Sequence, residues 1–159
     1  MVALLREPAI ATEVGALGTE PVVGDIRREW DWVKEGVRVV LANSPNQRFR
    51  AEDVYTACIT GDAQLWITSE GFTVTTEERD VLAQETFCYI WIAWAKNRGN
   101  AYAIKHQEFF EREAMLAGFD GLKLRTDQLG LKDYLARQNW ELETVEFTRR
   151  FNGKGSESE

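Results

Sequence analysis

The sequence predicts an α/β (α+β) fold: one mixed β-sheet flanked by helices on both faces, in a single domain. Three observations predict it. Asp25 stands before Ile26, Trp30, Val33, Val37 and Val40, whose spacings of four and three trace one face of a helix. Leu65 and Ile67, then Phe72 and Val74, alternate with other residues around Ser69-Glu70-Gly71, as a β-hairpin requires. An apolar run at 87–95 is followed by a helical pattern, a short strand and another helix. A strand–helix–strand unit of this kind needs at least one parallel pair, whereas the hairpin needs antiparallel pairing.

Taken in order, residues 1–23 form an arm broken by Pro8, Gly15, Gly18 and Pro21, with a short first strand near 2–5. The first helix begins behind Asp25 and ends near Asn43, ahead of Pro45. A shorter helix spans 51–59 and stops at Gly61. The hairpin follows, and 76–84 is polar and reads as a loop. The apolar run at 87–95 suits a strand covered on both faces; a buried helix is the alternative, but Lys96-Asn97-Arg98-Gly99-Asn100 stops it at strand length. Phe87, Tyr89 and Trp91 would share one face of that strand and Trp94 the other. A long helix spans 100–117 and ends at Gly118. A strand at 122–125, a helix at 128–138 and a last strand from Trp140 complete the sheet. The apolar phase of that last strand switches between Leu142 and Val145, which implies a break near Glu143 and Thr144. The folded domain is thus expected over 24–151, with a flexible acidic tail at 152–159.

The bulk composition narrows the function. A chain of 159 residues with 44% hydrophobic and 28% charged residues suits one globular core. Its net charge of −7 argues against general nucleic-acid binding, despite the close pairs Arg48/Arg50 and Arg149/Arg150. Cys58 and Cys88 have no metal-ligand spacing, and no metal site is expected. No apolar run approaches the ~18 residues of a membrane span, and no leader is evident, so a cytoplasmic protein without membrane contact is expected. Six Trp will dominate the core or an interface. Trp32 lies off the helical stripe and Trp66 opposes Leu65 and Ile67. If exposed, such tryptophans would mark a surface for self-association or a protein partner.

The turn after the apolar strand carries the most chemistry. Lys96-Asn97-Arg98-Gly99-Asn100-Ala101 joins the carboxyl end of a strand to the amino end of a helix. Free backbone N–H groups and the helix dipole there favour an anion such as a pyrophosphate. Gly99 allows close backbone approach, Ala101 leaves room, and Lys96 and Arg98 add positive charge. The bland alternative is a helix start that needs a glycine and binds nothing.

Lys96-x-x-Gly99-x-Ala101 resembles the Arg/Gln-x-x-Gly-x-Gly/Ala motif with which the GNAT family of N-acetyltransferases binds the acetyl-CoA pyrophosphate. The order of elements over about 25–151 is also that family's order. The resemblance implies a GNAT-like fold, acetyl-CoA or CoA as cofactor, and Lys96, Arg98, Gly99, Asn100 and Ala101 as cofactor-binding residues. The family commonly protonates the departing thiolate with a Tyr in a Tyr-x-x-x-Gly-Phe pattern before the last strand. Here Asn139-Trp140 stands in place of Gly-Phe, and Leu135 in place of the Tyr. Tyr134, one residue earlier, is the catalytic candidate that remains, rotated by about 100° on the helix. Glu85 is a loose candidate for the base. His106 is the only histidine, and a structural role suits it better than a site role.

Two functions follow. In its aromatic strand and basic turn the chain also resembles small GNAT-like proteins of tailed phages, some of them virion-associated. That resemblance implies an assembly or interaction protein with a degenerate active site, whose partners would be phage structural proteins. The alternative is an acetyl-CoA-dependent N-acetyltransferase, whose acidic surface would suit a cationic amine.

Overall fold

The protein is seen in a computed structural model that describes residues 20–97 and 105–151. The chain divides into two compact units, Met1–Arg125 and Thr126–Glu159. The first holds a five-stranded sheet of β1 (Val22–Val23), β2 (Ala63–Ile67), β3 (Gly71–Asp80), β4 (Glu85–Ala95) and β5 (Gly121–Leu124), in that spatial order. Neighbours run antiparallel except β4 and β5, which are parallel. Helices α1 (Ile26–Ala42) and α2 (Ala51–Thr60) precede β2, and α3 (Gln107–Leu116) lies between β4 and β5.

Local chemistry sets the helix ends. The Asp25 carboxylate accepts from the Arg27 N–H at 3.0 Å and caps α1. The backbone of Arg50 donates to the Asp53 carboxylate at 2.8 Å at the start of α2. Gly61 ends α2 at φ 83°, a left-handed conformation that glycine adopts without strain.

The sheet separates two cores. On one face Val33 and Val37 of α1 and Val54 of α2 meet Leu65, Phe72, Val74 and Ile92. On the other, Phe109, Phe110 and Ala114 of α3 meet Trp66 and Cys88. This is the mixed sheet with helices on both faces that the sequence predicts.

Several expectations need correction. The expected strand at 2–5 lies outside the described residues, and the first strand seen is Val22–Val23, paired with Trp66 and Ile67. The segment read as a polar loop is half strand: Thr76 to Asp80 pair with Tyr89 to Glu85. Those residues extend the hairpin past the edge of β2, where burial falls away and no apolar alternation is needed. Trp94 packs on the same face as Trp91, because Trp91 is itself an extra residue in β4. Trp66 is buried against α3, and the other five tryptophans are half-buried. Of the helix expected from 100, residues 100–104 lie outside the described residues, Lys105 is helical, and α3 proper begins at Gln107. His106, at φ −107° and ψ 25°, stands outside it.

The second unit contains a 3-10 turn at Leu129–Leu131 and helix α4 (Lys132–Arg137). No strand forms at 140–151. Leu142 and the pair Val145 and Phe147 fall in opposite alternation phases, so no single register buries all three. All three are exposed. The tail at 152–159 lies outside the described residues.

Candidate functional site

Strands β4 and β5 pair from Phe87 opposite Gly121 to Ile90 opposite Leu124. Beyond that pair β4 runs on through Trp91 to Ala95, with β3 on one side and no ladder partner among the described residues on the other. The β3 register places a bulge at this point. Val74 faces Ile92 while Thr75 faces Ile90, so Trp91 is an extra residue in β4. A bulge bends its strand and increases its twist. This one falls immediately after the last β4–β5 pair, where β5 itself ends at Leu124. Pairing thus stops at the carboxyl ends of two parallel strands, a split in the ladder where open α/β sheets take their ligands. Backbone N–H and C=O groups along the free edge of β4 suit an extended ligand that carries amides.

The split has an aromatic and cationic wall on the α1/α2 face. The ring of Phe49, in the α1–α2 connection, lies 5.0 Å from that of Trp91. The Arg125 guanidinium lies 4.7 Å from the centroid of the Tyr89 ring and donates to the Glu78 carboxylate at 2.9 Å. Lys123 lies 4.2 Å from the Phe87 ring centroid and 3.9 Å from Glu78. Hydrogen bonding to Tyr89, helped by the Glu78 charge and opposed by burial, pushes the Arg125 pKa up. Sequence reasoning missed Phe49, Glu78, Tyr89 and Arg125 as a group. Only the Lys123-x-Arg125 alternation hinted at it.

The turn after β4 begins at Lys96. Glu70 holds both of its flanks: the Lys96 N–H donates to the Glu70 carbonyl at 2.9 Å, and the Lys105 ammonium pairs with the Glu70 carboxylate. The Lys96 side chain is exposed, its nitrogen 5.8 Å from the Trp32 ring centroid. Arg98, Gly99, Asn100 and Ala101 lie outside the described residues. One acidic residue on the β2–β3 turn thus fixes where the candidate anion-binding loop leaves the sheet and where it returns.

The remaining candidates are elsewhere or inert. Glu85 opens β4 and is exposed. Six residues of strand at about 3.3 Å each put it about 20 Å from Trp91, too far to act at the split. Burial first, then the Lys105 charge, lowers the His106 pKa against the opposing pull of Glu70 and Glu20. Burial pushes both thiols, Cys58 and Cys88, up to about 12, and they behave as small apolar side chains. Among the described residues no group of three His, Cys, Asp or Glu is placed to hold a metal. No described helix is long and apolar enough to cross a membrane. An open depression of about 270 Å³ lies between the start of α1 and the end of α2, beside β2. Three strand spacings of about 4.8 Å separate β2 from β5. Asp25 there is occupied in capping α1, so the depression offers little chemistry.

Tyr134 lies in α4 of the second unit, half-buried, with the Arg137 guanidinium 5.9 Å from its ring centroid. The helix end fixes its register. The Trp140 N–H donates to the Leu135 carbonyl at 3.0 Å, the Asn139 N–H to the Ala136 carbonyl at 3.1 Å, and Asn139 has φ 65°. This is a Schellman cap in which Asn139 takes the usual place of glycine. With Asn139-Trp140 in place of Gly-Phe, Leu135 aligns with the Tyr of the resembling family, and Tyr134 is one residue off it.

No protein-family model matches the sequence. No curated protein matches it either. Solved structures do. A ribosomal-protein-alanine N-acetyltransferase from Brucella melitensis biovar Abortus aligns over 83% of this chain and 98% of its own, with TM-score 0.61 and 10% identity. An aminoglycoside acetyltransferase from an uncultured soil metagenomic sample aligns over 84% and 96%, with TM-score 0.58 and 11% identity. An integron cassette protein from the mobile metagenome of Vibrio cholerae aligns over 86% and 93%, with TM-score 0.57 and 12% identity. At these identities the likeness concerns the backbone. With its mixed sheet, its parallel β4–β5 pair and the split beyond it, the chain has the GNAT-like fold.

Proposed function

We propose that the chain is an acyl-CoA-dependent N-acyltransferase that holds its acyl donor in the split between β4 and β5. The end of pairing between the two parallel strands at the Trp91 bulge carries this reading. The acetyltransferases that share the fold support it. The donor, acetyl-CoA or a related thioester, supplies an activated acyl group. The chain binds and orients it. The free β4 edge offers hydrogen bonds to amide groups. Lys96, with Arg98, Gly99, Asn100 and Ala101 by family resemblance, receives the pyrophosphate at the loop that Glu70 holds.

One observation favours a second reading, a non-catalytic assembly protein on the same scaffold. Asn139-Trp140 aligns Leu135, not Tyr134, with the proton donor of the resembling family, and a hydroxyl displaced by one helix position loses most of its value as a general acid. A role in phage particles rests on the sequence resemblance alone.

Calorimetric titration with acetyl-CoA separates the two. Micromolar binding, abolished by Gly99→Trp with the fold intact by circular dichroism, is the expected result. No heat at millimolar acetyl-CoA overturns the enzyme reading.

A further inference from the structure

The net charge of −7 suggests a cationic acceptor, but the split is lined the other way. On the α1/α2 face, Arg125 immediately follows the last β5 residue that pairs with β4, and Lys123 stands two residues behind it. Their shared carboxylate, Glu78, leaves one positive charge in excess. Beyond Glu78, toward the β3–β4 turn, the same face carries Asp80 and Glu85. Asp80 is occupied by the N–H groups of Leu82 and Ala83. On the same face Phe49, whose ring centroid lies 5.0 Å from that of Trp91, is flanked in sequence by Arg48 and Arg50, both exposed. The Arg50 guanidinium lies 3.9 Å from the Asp53 carboxylate. That face thus carries aromatic rings with the Arg125 guanidinium beside one of them, the pair of features that seats an apolar body and grips a carboxylate.

From this placement, and resting on the N-acyltransferase reading, we infer that the acceptor is a small amine that also carries a carboxylate, of the amino-acid class with an apolar side chain. The carboxylate sits on Arg125, and the apolar part lies against Phe49 and Trp91. In the transfer, the amine nitrogen forms the amide bond as the thioester C–S bond breaks. The nitrogen gives up one proton and the departing thiolate takes one up, so the step balances without a further reactant. A polycation such as spermidine has no anionic group for Arg125 and would meet the guanidinium groups as like charges.

The test uses the intact protein and needs no acyl donor. N-acetylphenylalanine, its neutral amide and spermidine are titrated separately while tryptophan fluorescence is followed. The carboxylate is expected to bind about tenfold or more tightly than the amide. Arg125→Ala should erase that preference, and Arg125→Lys should keep part of it because charge survives without the planar fork. Equal binding of carboxylate and amide, tighter binding of spermidine, or no binding of any of the three overturns the inference. Acetyl-CoA binding is read on the same samples. If it persists while the carboxylate preference is absent, only the acceptor class is wrong. If it is absent, the N-acyltransferase reading falls with it.

Discussion

Replacing Trp66 with alanine is expected to destabilise the protein by about 3–5 kcal/mol, the usual cost of emptying a large aromatic site in a packed core. Trp66 is 1% exposed and is the contact through which β2 receives α3. Its ring centroid lies 5.5 Å from Phe109 and 5.7 Å from Phe110, both edge-on, an arrangement that adds to simple burial. Its indole N–H donates to the Thr75 hydroxyl at 2.9 Å. Truncation therefore opens a cavity and removes a donor from a buried hydroxyl, which adds about 1 kcal/mol or more. Against a total stability of about 5–15 kcal/mol, the loss is a large share. Trp66→Phe separates the two contributions, because it fills most of the volume and drops the hydrogen bond. Urea unfolding followed by circular dichroism measures both variants, and a loss for Trp66→Ala below about 1 kcal/mol would contradict the assigned role.

The second large effect concerns Gly36. A Cβ built there would lie 2.4 Å from Phe72 Cε1 and 2.8 Å from two atoms of the Trp94 ring. Phe72 is fully buried, so its ring cannot swing into solvent. Alanine in a helix interior normally gains about 1 kcal/mol over glycine. Here overpacking of about 1–3 kcal/mol opposes that gain, and Gly36→Val, bulkier and β-branched, should lie at or beyond the upper end. A lower urea midpoint for Gly36→Ala and a much lower one for Gly36→Val are expected. Gly130→Ala, with no atom within 4 Å of the added Cβ, is the control. A stabilised Gly36→Ala would show that α1 does not rest on Phe72 and Trp94 as closely as the distances state.

Much of this packing was legible in the sequence because its determinants are local. Asp25, the apolar spacing from Ile26 and the stop at Gly61 each act within a turn or two, and α1 and α2 appear where they predict. The outer half of β3 was not legible. Thr76 to Asp80 form a strand because β4 pairs with them, and their side chains carry no alternation. The bulge at Trp91 was equally hidden, since an extra residue is defined only by its partner strand, and it moved Trp94 to the other face. The same limit applied to the site. The Lys96 to Ala101 turn has a local signature. The meeting of Arg125 with Glu78 spans 47 positions and arises only when β3, β4 and β5 assemble. At Asn139 an asparagine stands where glycine is usual, and the cap that it forms fixes the register of Leu135 and Tyr134 within α4.

The central claim is that the acyl donor occupies the split along the free edge of β4. Amide hydrogen exchange with and without saturating acetyl-CoA tests it most directly. Slowed exchange at residues 91–95, beyond the last β4–β5 pair, together with the turn after Lys96, is the predicted result. Binding that leaves 91–95 unchanged, or that protects the depression beside β2 instead, would contradict it.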